Sequence, residues 1–258
     1  ESKSVSLFLI IFLGLLTAVT PLATDMYLPA LPIMPGELDT SASNIQMTIG
    51  IMTIGIAVGQ LFAGPISDVL GRKRPLIVGN LLCVVATIVC AYSPNIEVLL
   101  LGRFLQGVTG SFGVVISKAI ARDHASGPAL IKLLASLMMV NGLAPVIAPL
   151  LGGQILIYET WRFIFVVLAG FALILLVGSV LFRESLPTEQ RVAGGIQVAL
   201  KNYKILLKDK AFLGQCGIQC FAFGAFFCYI SGSSFVYQNI FGLDAQQFSY
   251  IFGINSCG

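Results

Sequence analysis

Charge is scarce in this 258-residue chain: charged residues make up 10% of it, against about 25% in an ordinary soluble domain. A soluble protein of this size has nowhere to hide an apolar share of 57%, so lipid is the expected solvent for most of its surface. Histidine occurs once, as His124, in a charged stretch that suits a solvated loop residue. None of the six cysteines (Cys83, Cys90, Cys216, Cys220, Cys228, Cys257) has a histidine or carboxylate at ligand spacing. They are read as small buried hydrophobes, with no metal site and no disulfide expected. No nucleophile–base pair appears, which argues against an enzyme and against any cofactor beyond an ion gradient. Nor is a cleavable signal peptide expected, because the first apolar run is too long and lacks a small-residue cleavage site.

Glycine and proline, by contrast, are plentiful, at 27 and 11 residues. Membrane helices tolerate both, because neighbouring elements re-satisfy the backbone groups they free. Crossing a ~30 Å hydrocarbon core takes roughly 20 apolar residues. Seven runs qualify: Val5–Leu28, Ile45–Ile66, Pro75–Tyr92, Ile96–Ile116, Leu133–Ile157, Phe163–Phe182 and Ala211–Tyr237. An eighth begins near Gln246 and is still apolar at Gly258, so a longer protein is expected. With the N-terminus inside, thirteen of the 15 lysines and arginines fall in cytoplasmic segments. Only Arg162 lies outside, and Arg103 sits within a span, while Glu37, Asp39, Glu159 and Asp244 occupy the opposite loops. That bias predicts a cytoplasmic N-terminus.

One loop stands apart. Arg183 to Lys210 is long, basic and interrupted by Pro187, Gly194 and Gly195. Within it, Ile196–Leu207 is expected to form a helix, with Lys201, Lys204 and Lys208 on one face and Val198, Ile205 and Leu206 on the other, lying along the inner membrane surface. Three units follow: a six-helix transmembrane bundle over 1–182, a basic linker over 183–210, and the start of a second bundle over 211–258. The fold class expected is all-α and polytopic, six helices of a six-plus-six architecture with helix 7 and part of helix 8.

Ionisable residues inside spans cost about 2.5–3.5 kcal/mol each on insertion scales and are functional candidates by default. At 1.5 Å per residue Asp25 on the first span falls about 6–10 Å, and Arg103 on the fourth roughly 10 Å, below the outer surface. In three-plus-three repeats the first and fourth helices flank the central cavity. One reading has Asp25 binding and releasing a proton while Arg103 tunes its affinity. The other is a static ion pair, or an aspartate reaching for the interface. Pro21, one turn earlier, permits bending beside Asp25.

The segment Gly64-Pro-Ile-Ser-Asp68-Val-Leu-Gly71-Arg72-Lys73-Arg74 joins the second and third spans. Gly64 permits a close helix approach, Gly71 a turn with positive φ, and Asp68 a hydrogen bond to Arg72. On charge alone the arginines would be a topology signal. The spacing as a whole resembles the Gly-x-x-x-Asp-Arg-x-Gly-Arg-Arg/Lys signature of the major facilitator superfamily, departing from it at Val69. Leu101-Gly-Arg103-Phe-Leu-Gln106-Gly107-Val-Thr-Gly110 is similar to that superfamily's fourth-helix motif, whose arginine is implicated in proton transfer. The resemblance extends to Ala121-Arg122-Asp123 and implies a charge relay through Asp68, Arg72 and Asp123, with Lys73 in the same loop. On the fifth span, Gly142-Leu-Ala-Pro145-Val-Ile-Ala148-Pro149-Leu-Leu-Gly152-Gly153 is similar to the antiporter motif, with Ala148-Pro149 in place of the usual Gly-Pro pair. Those glycines also suit an ordinary tightly packed helix.

Thr24-Asp25-Met-Tyr27-Leu-Pro29-Ala-Leu-Pro32 and Tyr229-Ile-Ser231-Gly-Ser-Ser-Phe-Val-Tyr237-Gln238 resemble the bicyclomycin and chloramphenicol resistance family of drug efflux proteins. The resemblance implies a proton-coupled antiporter, monomeric when full length, that exports small amphipathic compounds by alternating access. Some relatives carry another carboxylate two turns before Asp25, where this chain has Thr17, so obligate handling of divalent cationic drugs is not expected. The expected cavity wall is Tyr27, Gln106, Gln219, Tyr229 and Ser231, aromatic with few polar groups, each of which also suits helix packing. An uptake symporter for a metabolite is the alternative within transport. A seven-helix receptor would need an outside N-terminus, against the basic bias. Partners are the substrate, protons and the bilayer, with no nucleic acid.

Overall fold

A computed structural model of the chain describes residues 6–191 and 195–256, the side chains of 195–197 excepted. Val5, Lys3, Gly194 and Cys257 lie outside the described residues. Ten α-helices follow in order: α1 (Leu7–Asp25), the short α2 (Met34–Glu37), α3 (Ala42–Leu70), α4 (Lys73–Ala91), α5 (Ile96–His124), α6 (Gly127–Tyr158), α7 (Trp161–Leu181), α8 (Gly195–Leu206), α9 (Lys210–Phe235) and α10 (Ala245–Asn255). Among the described residues seven segments are long and apolar enough to cross a membrane: α1 with its extension to Ala30, α3 to α7, and α9 extended by a π turn to Ile240. They match the seven expected spans in order, and α10 is the eighth.

The helices outrun the apolar runs wherever charge begins. α5 was expected to stop at Ile116 but continues through Lys118, Arg122 and Asp123 to His124. α6 starts at Gly127 rather than near Leu133. Hydropathy marks where lipid ends, whereas helices end where their caps stand. His124 is therefore not a loop residue: it closes the last turn of α5, its Nδ1 2.9 Å from the Ile120 carbonyl. Ser41 caps α3 and Asn95 caps α5, each accepting from the backbone N–H three residues on.

Spans alternate direction, so one end of the bundle carries the basic loops and is called the basic end. Two apolar clusters fill it. One, near the opposite end, gathers Tyr27, Leu28, Leu31, Met34, Trp161 and Phe165. The other, near the basic end, gathers Phe12, Leu13, Leu16, Ile116, Ile120 and Phe182. Buried polar side chains also join helices: Asn80 Nδ2 on α4 donates to Ser179 Oγ on α7 at 2.8 Å. α3 and α5 touch backbone to backbone: a Cβ on Gly55 or Gly59 would stand within 2.3 Å of the Phe104 or Val108 carbonyl oxygen. That Gly-x-x-x-Gly contact, not Gly64, is where these helices come closest. A Cβ on Gly64 would meet only Val115, at an ordinary 3.8 Å.

Candidate functional site

A cavity of about 530 Å³ lies between α1, α3, α6, α9 and α10. Its polar lining is Thr20, Thr24 and Asp25 from α1, Asn141 from α6, Tyr229 from α9, and Asn255 and Ser256 at the end of α10. Phe223, Phe226, Phe227 and Phe252 form an aromatic wall. Pro21, Gly142 and Pro145 complete the α1 and α6 sides. Pro145 has no N–H to give, so the Asn141 carbonyl beside the cavity loses its helical donor. Asn255 Nδ2 donates to the Tyr229 hydroxyl at 2.9 Å.

Asp25 is 4% exposed and faces this cavity. Among the described residues no hydrogen bond or ion pair engages its carboxyl. Arg103 is fully buried on the other side of α1. Its Nη1 donates to the Ala23 carbonyl at 2.8 Å and to Gln106 Oε1 at 2.7 Å. The Ala23 carbonyl belongs to the last turn of α1, where helix carbonyls lack partners of their own. The guanidinium stacks over Tyr27 at 4.3 Å and Phe165 at 5.6 Å, while Nε and Nη2 have no hydrogen-bond partner. The expected Asp25–Arg103 juxtaposition is thus indirect. Arg103 binds the α1 backbone at Ala23, two residues before Asp25, and forms no ion pair with it.

Four of the five residues expected to line the cavity do not. Tyr27 is fully buried because its ring covers Arg103 and its hydroxyl lies 2.8 Å from Thr48 Oγ1. Gln106 is held between Arg103 and Thr87, donating to Thr87 Oγ1 at 2.9 Å. Gln219 is on an exposed stretch of α9, and the Ser231 hydroxyl turns back onto the Cys228 carbonyl. Tyr229 alone lines the cavity. Asn141, Asn255 and the phenylalanines of α9 were missed. Helical spacing places residues on a face, and which face looks at the cavity depends on how α9 leans on α1.

That lean is set at the end opposite the basic loops. Ser234 Oγ on α9 donates to the Leu28 carbonyl at 2.6 Å, and Gln238 Nε2 to the Pro29 carbonyl at 3.0 Å. On the neighbouring side α6 meets α1 and α10 through its paired glycines. A Cβ on Gly152 would fall 1.7 Å from the Met26 carbonyl oxygen, and one on Gly153 would fall 2.4 Å from Ser249 Oγ. Pro149, also buried, lies one turn before. The helices of the cavity are therefore joined at this end, while α9 from Ala211 to Phe226 is largely exposed.

At the basic end Arg72 gathers three elements. Its guanidinium pairs with Asp68 on α3 and donates through Nε to Asp123 Oδ2 on α5 at 3.0 Å, with Ser67 Oγ at 2.9 Å from Nη1. Gly71 holds φ at +87°, the left-handed geometry that lets α3 end there. Two participants were not foreseen. Ser185 Oγ donates to Asp123 Oδ2 at 2.8 Å. Glu184 accepts from the backbone N–H of Arg72 at 2.8 Å and of Lys73 at 3.2 Å, at the N-terminus of α4. Burial pushes the Glu184 carboxyl up, but N–H bonds from Leu186, Arg72, Lys73 and Ser185 outweigh it and hold it below the ordinary glutamate range.

The sequence pattern of the Major Facilitator Superfamily matches residues 13–258. The chain belongs to that superfamily. It is 43% identical over 96% of its length to an uncharacterized MFS-type transporter, YdgK, of Bacillus subtilis, covering 63% of that protein. It is 34% identical over 99% of its length to a bicyclomycin resistance protein homolog of Haemophilus influenzae, covering 64% of it. The fold is that of a D-xylose–proton symporter, with a TM-score of 0.66 at 16% identity over 96% of this chain and 64% of the symporter. The chain therefore spans just under two thirds of these relatives, as a multi-pass membrane protein of the superfamily whose relatives include drug-resistance transporters. In superfamily terms, α1 and α3 to α7 are the first six membrane helices, and α9 and α10 the next two.

Proposed function

We propose that the protein exports small amphipathic compounds from the cytoplasm by alternating access, coupled to protons entering through Asp25, with its N-terminus on the cytoplasmic side of a bacterial inner membrane. The observation that carries this reading is a single buried carboxyl, free of any ion pair, opening on a 530 Å³ cavity walled by phenylalanines. Many aromatic faces with few polar groups suit ligands that are apolar and varied. A carboxyl without a fixed partner can change its charge without breaking a salt bridge. Arg103, whose Nε and Nη2 have no hydrogen-bond partner, brings a positive charge to the Ala23 carbonyl two residues before Asp25. The antiport direction is supported by the drug-resistance names of two sets of relatives.

The reading is tested in proteoliposomes under an imposed proton gradient, following both an aromatic dye and internal pH. Dye movement should be coupled to proton movement in the opposite direction, and Asp25→Asn should abolish the coupling while leaving dye binding within a few-fold. Equal coupled fluxes in both proteins would remove Asp25 from the mechanism. Dye and protons moving in the same direction would replace export by uptake.

A further inference from the structure

α8 is attached to the bundle by one hydrogen bond with a clear cause. Pro65 in α3 cannot donate to the Leu61 carbonyl four residues earlier. The Tyr203 hydroxyl of α8 donates to that carbonyl at 2.9 Å. This contact fixes the helix in both depth and rotation. α3 has 29 residues, about 43 Å at 1.5 Å per residue, so it overhangs a ~30 Å hydrocarbon core. Leu61 lies about 13 Å before its basic end by the same rise, near the edge of the hydrocarbon. At 100° per residue, Lys201 and Lys204, and Lys208 in the turn that follows α8, point some 100–160° away from Tyr203, and all three are exposed.

Among the described residues nothing answers that charge. Residues 198–206 contain no carboxylate. Asp209 spends its carboxylate capping α9, accepting from the N–H of Ala211 and Phe212. Among the described residues no ion pair reaches the three lysines. The lysines are flanked by apolar side chains left open: Val198 is 41% exposed, Leu200 50% and Ile205 61%. Three unpaired ammonium groups between apolar flanks, held at the hydrocarbon edge, match a surface that is negative outside and apolar beneath.

We propose that this face of α8 is a binding site for the headgroups of anionic phospholipids in the adjoining leaflet, so that lipid charge and the Tyr203 bond together brace the linker against α3. The site takes a phosphodiester of net negative charge in a bilayer, and zwitterionic headgroups bind it poorly.

The test places the whole chain in phosphatidylcholine nanodiscs with a trace of photoactivatable phosphatidylglycerol or phosphatidylcholine of identical acyl chains, and maps crosslinks to residues 198–208 by mass spectrometry. An ammonium group near an anionic surface contributes about 1 kcal/mol, or roughly fivefold. Labelling by the glycerol lipid is expected to exceed that by the choline lipid at least about fivefold, and to shrink as salt shortens the Debye length. Lys201→Gln, Lys204→Gln and Lys208→Gln combined should bring the two to parity, whereas the three arginine substitutions combined should keep the preference. Parity in the unaltered protein, or an undiminished preference in the glutamine variant, would overturn the proposal. Inorganic phosphate that displaces the lipid better than chloride of equal ionic strength would also overturn it, since the site would then hold free phosphate.

Discussion

Gly152 and Gly142 occupy the same helix and the same motif, yet they should respond oppositely to one added methyl group. A Cβ on Gly152 would stand 1.7 Å from the Met26 carbonyl oxygen, whereas one on Gly142 meets nothing within 4 Å. Carbon and carbonyl oxygen settle at about 3.3 Å. Gly152→Ala must therefore part α6 from α1 by roughly 1.5 Å, directly after Asp25. Both partners are backbone, so no rotamer relieves the clash. Overpacking of this kind costs about 1–3 kcal/mol, partly offset by up to about 1 kcal/mol from alanine's better helix propensity. At about 2–4 °C per kcal/mol for a chain of this size, Gly152→Ala should melt several degrees lower in detergent. Gly142→Ala should keep or slightly raise the melting temperature. Gly153→Ala belongs between them, because its nearest obstacle is the rotatable Ser249 hydroxyl, with the Ala245 carbonyl oxygen at 3.3 Å. Thermal unfolding of the three variants gives the order directly. Equal losses at Gly142 and Gly152 would refute the claim that helix contact, rather than motif membership, decides which glycine matters.

Other predictions concern the two charge clusters. Glu184 is held below the ordinary glutamate value of 4.5, so its contribution to stability is present above that pH and fades as pH falls through the lower folded-state value. Glu184→Gln should accordingly melt below the parent at pH 7, with the gap closing under acid, and a gap that does not change with pH would contradict this. Arg103→Lys keeps the charge but loses the planar group stacked on Tyr27 and Phe165, and should cost at least about 2 kcal/mol. Combined with Gln106→Leu in a double-mutant cycle, it should show a coupling of about 0.5–3 kcal/mol; strict additivity would mean that the 2.7 Å bond contributes nothing.

Which parts of this were legible beforehand follows from the kind of information each needs. Span number and order came from runs of apolar residues, a property of the lipid and hence of local composition. The Asp68–Arg72 contact was legible from the loop itself, since Gly71 and the two charges act within one turn of each other, whereas Asp123 came only from the resemblance to the superfamily. Glu184 and Ser185 were not legible, since they arrive from the end of α7, more than 100 residues after Arg72, and carry no local pattern. The cavity wall was the least legible part. Tyr27 and Gln106 look like ligand-binding side chains by type, but a buried arginine needs acceptors and ring faces, and it had claimed both. A guanidinium placed in an apolar bundle should always be assigned its partners before any neighbour is assigned to a substrate.

The same accounting explains where the elements join. A carbonyl without a donor costs several kcal/mol in hydrocarbon, so each helix break creates an acceptor that some other element must satisfy. Pro65 frees the Leu61 carbonyl, which Tyr203 of the linker takes. In the 3-10 turn after α1 the Leu28 carbonyl keeps a bond from the Leu31 N–H and gains a second from Ser234 of α9, while Pro32 has no N–H for the Pro29 carbonyl, which Gln238 takes. The end of α4 leaves the Ala91 and Ser93 carbonyls to Arg162 at 3.2 and 2.7 Å. The bonds to Leu28 and Pro29 differ from the last pair in one respect: they tie α1 to α9, which in this superfamily belong to opposite bundles. Under the proposed alternating access, parting the bundles at this end would cost the two carbonyls these donors as water entered to replace them, a nearly neutral exchange. Under that proposal, breaks placed at the ends of the cavity, where water would follow the motion, would let the helices be firmly joined in one state and separate in another without leaving a polar group bare in lipid.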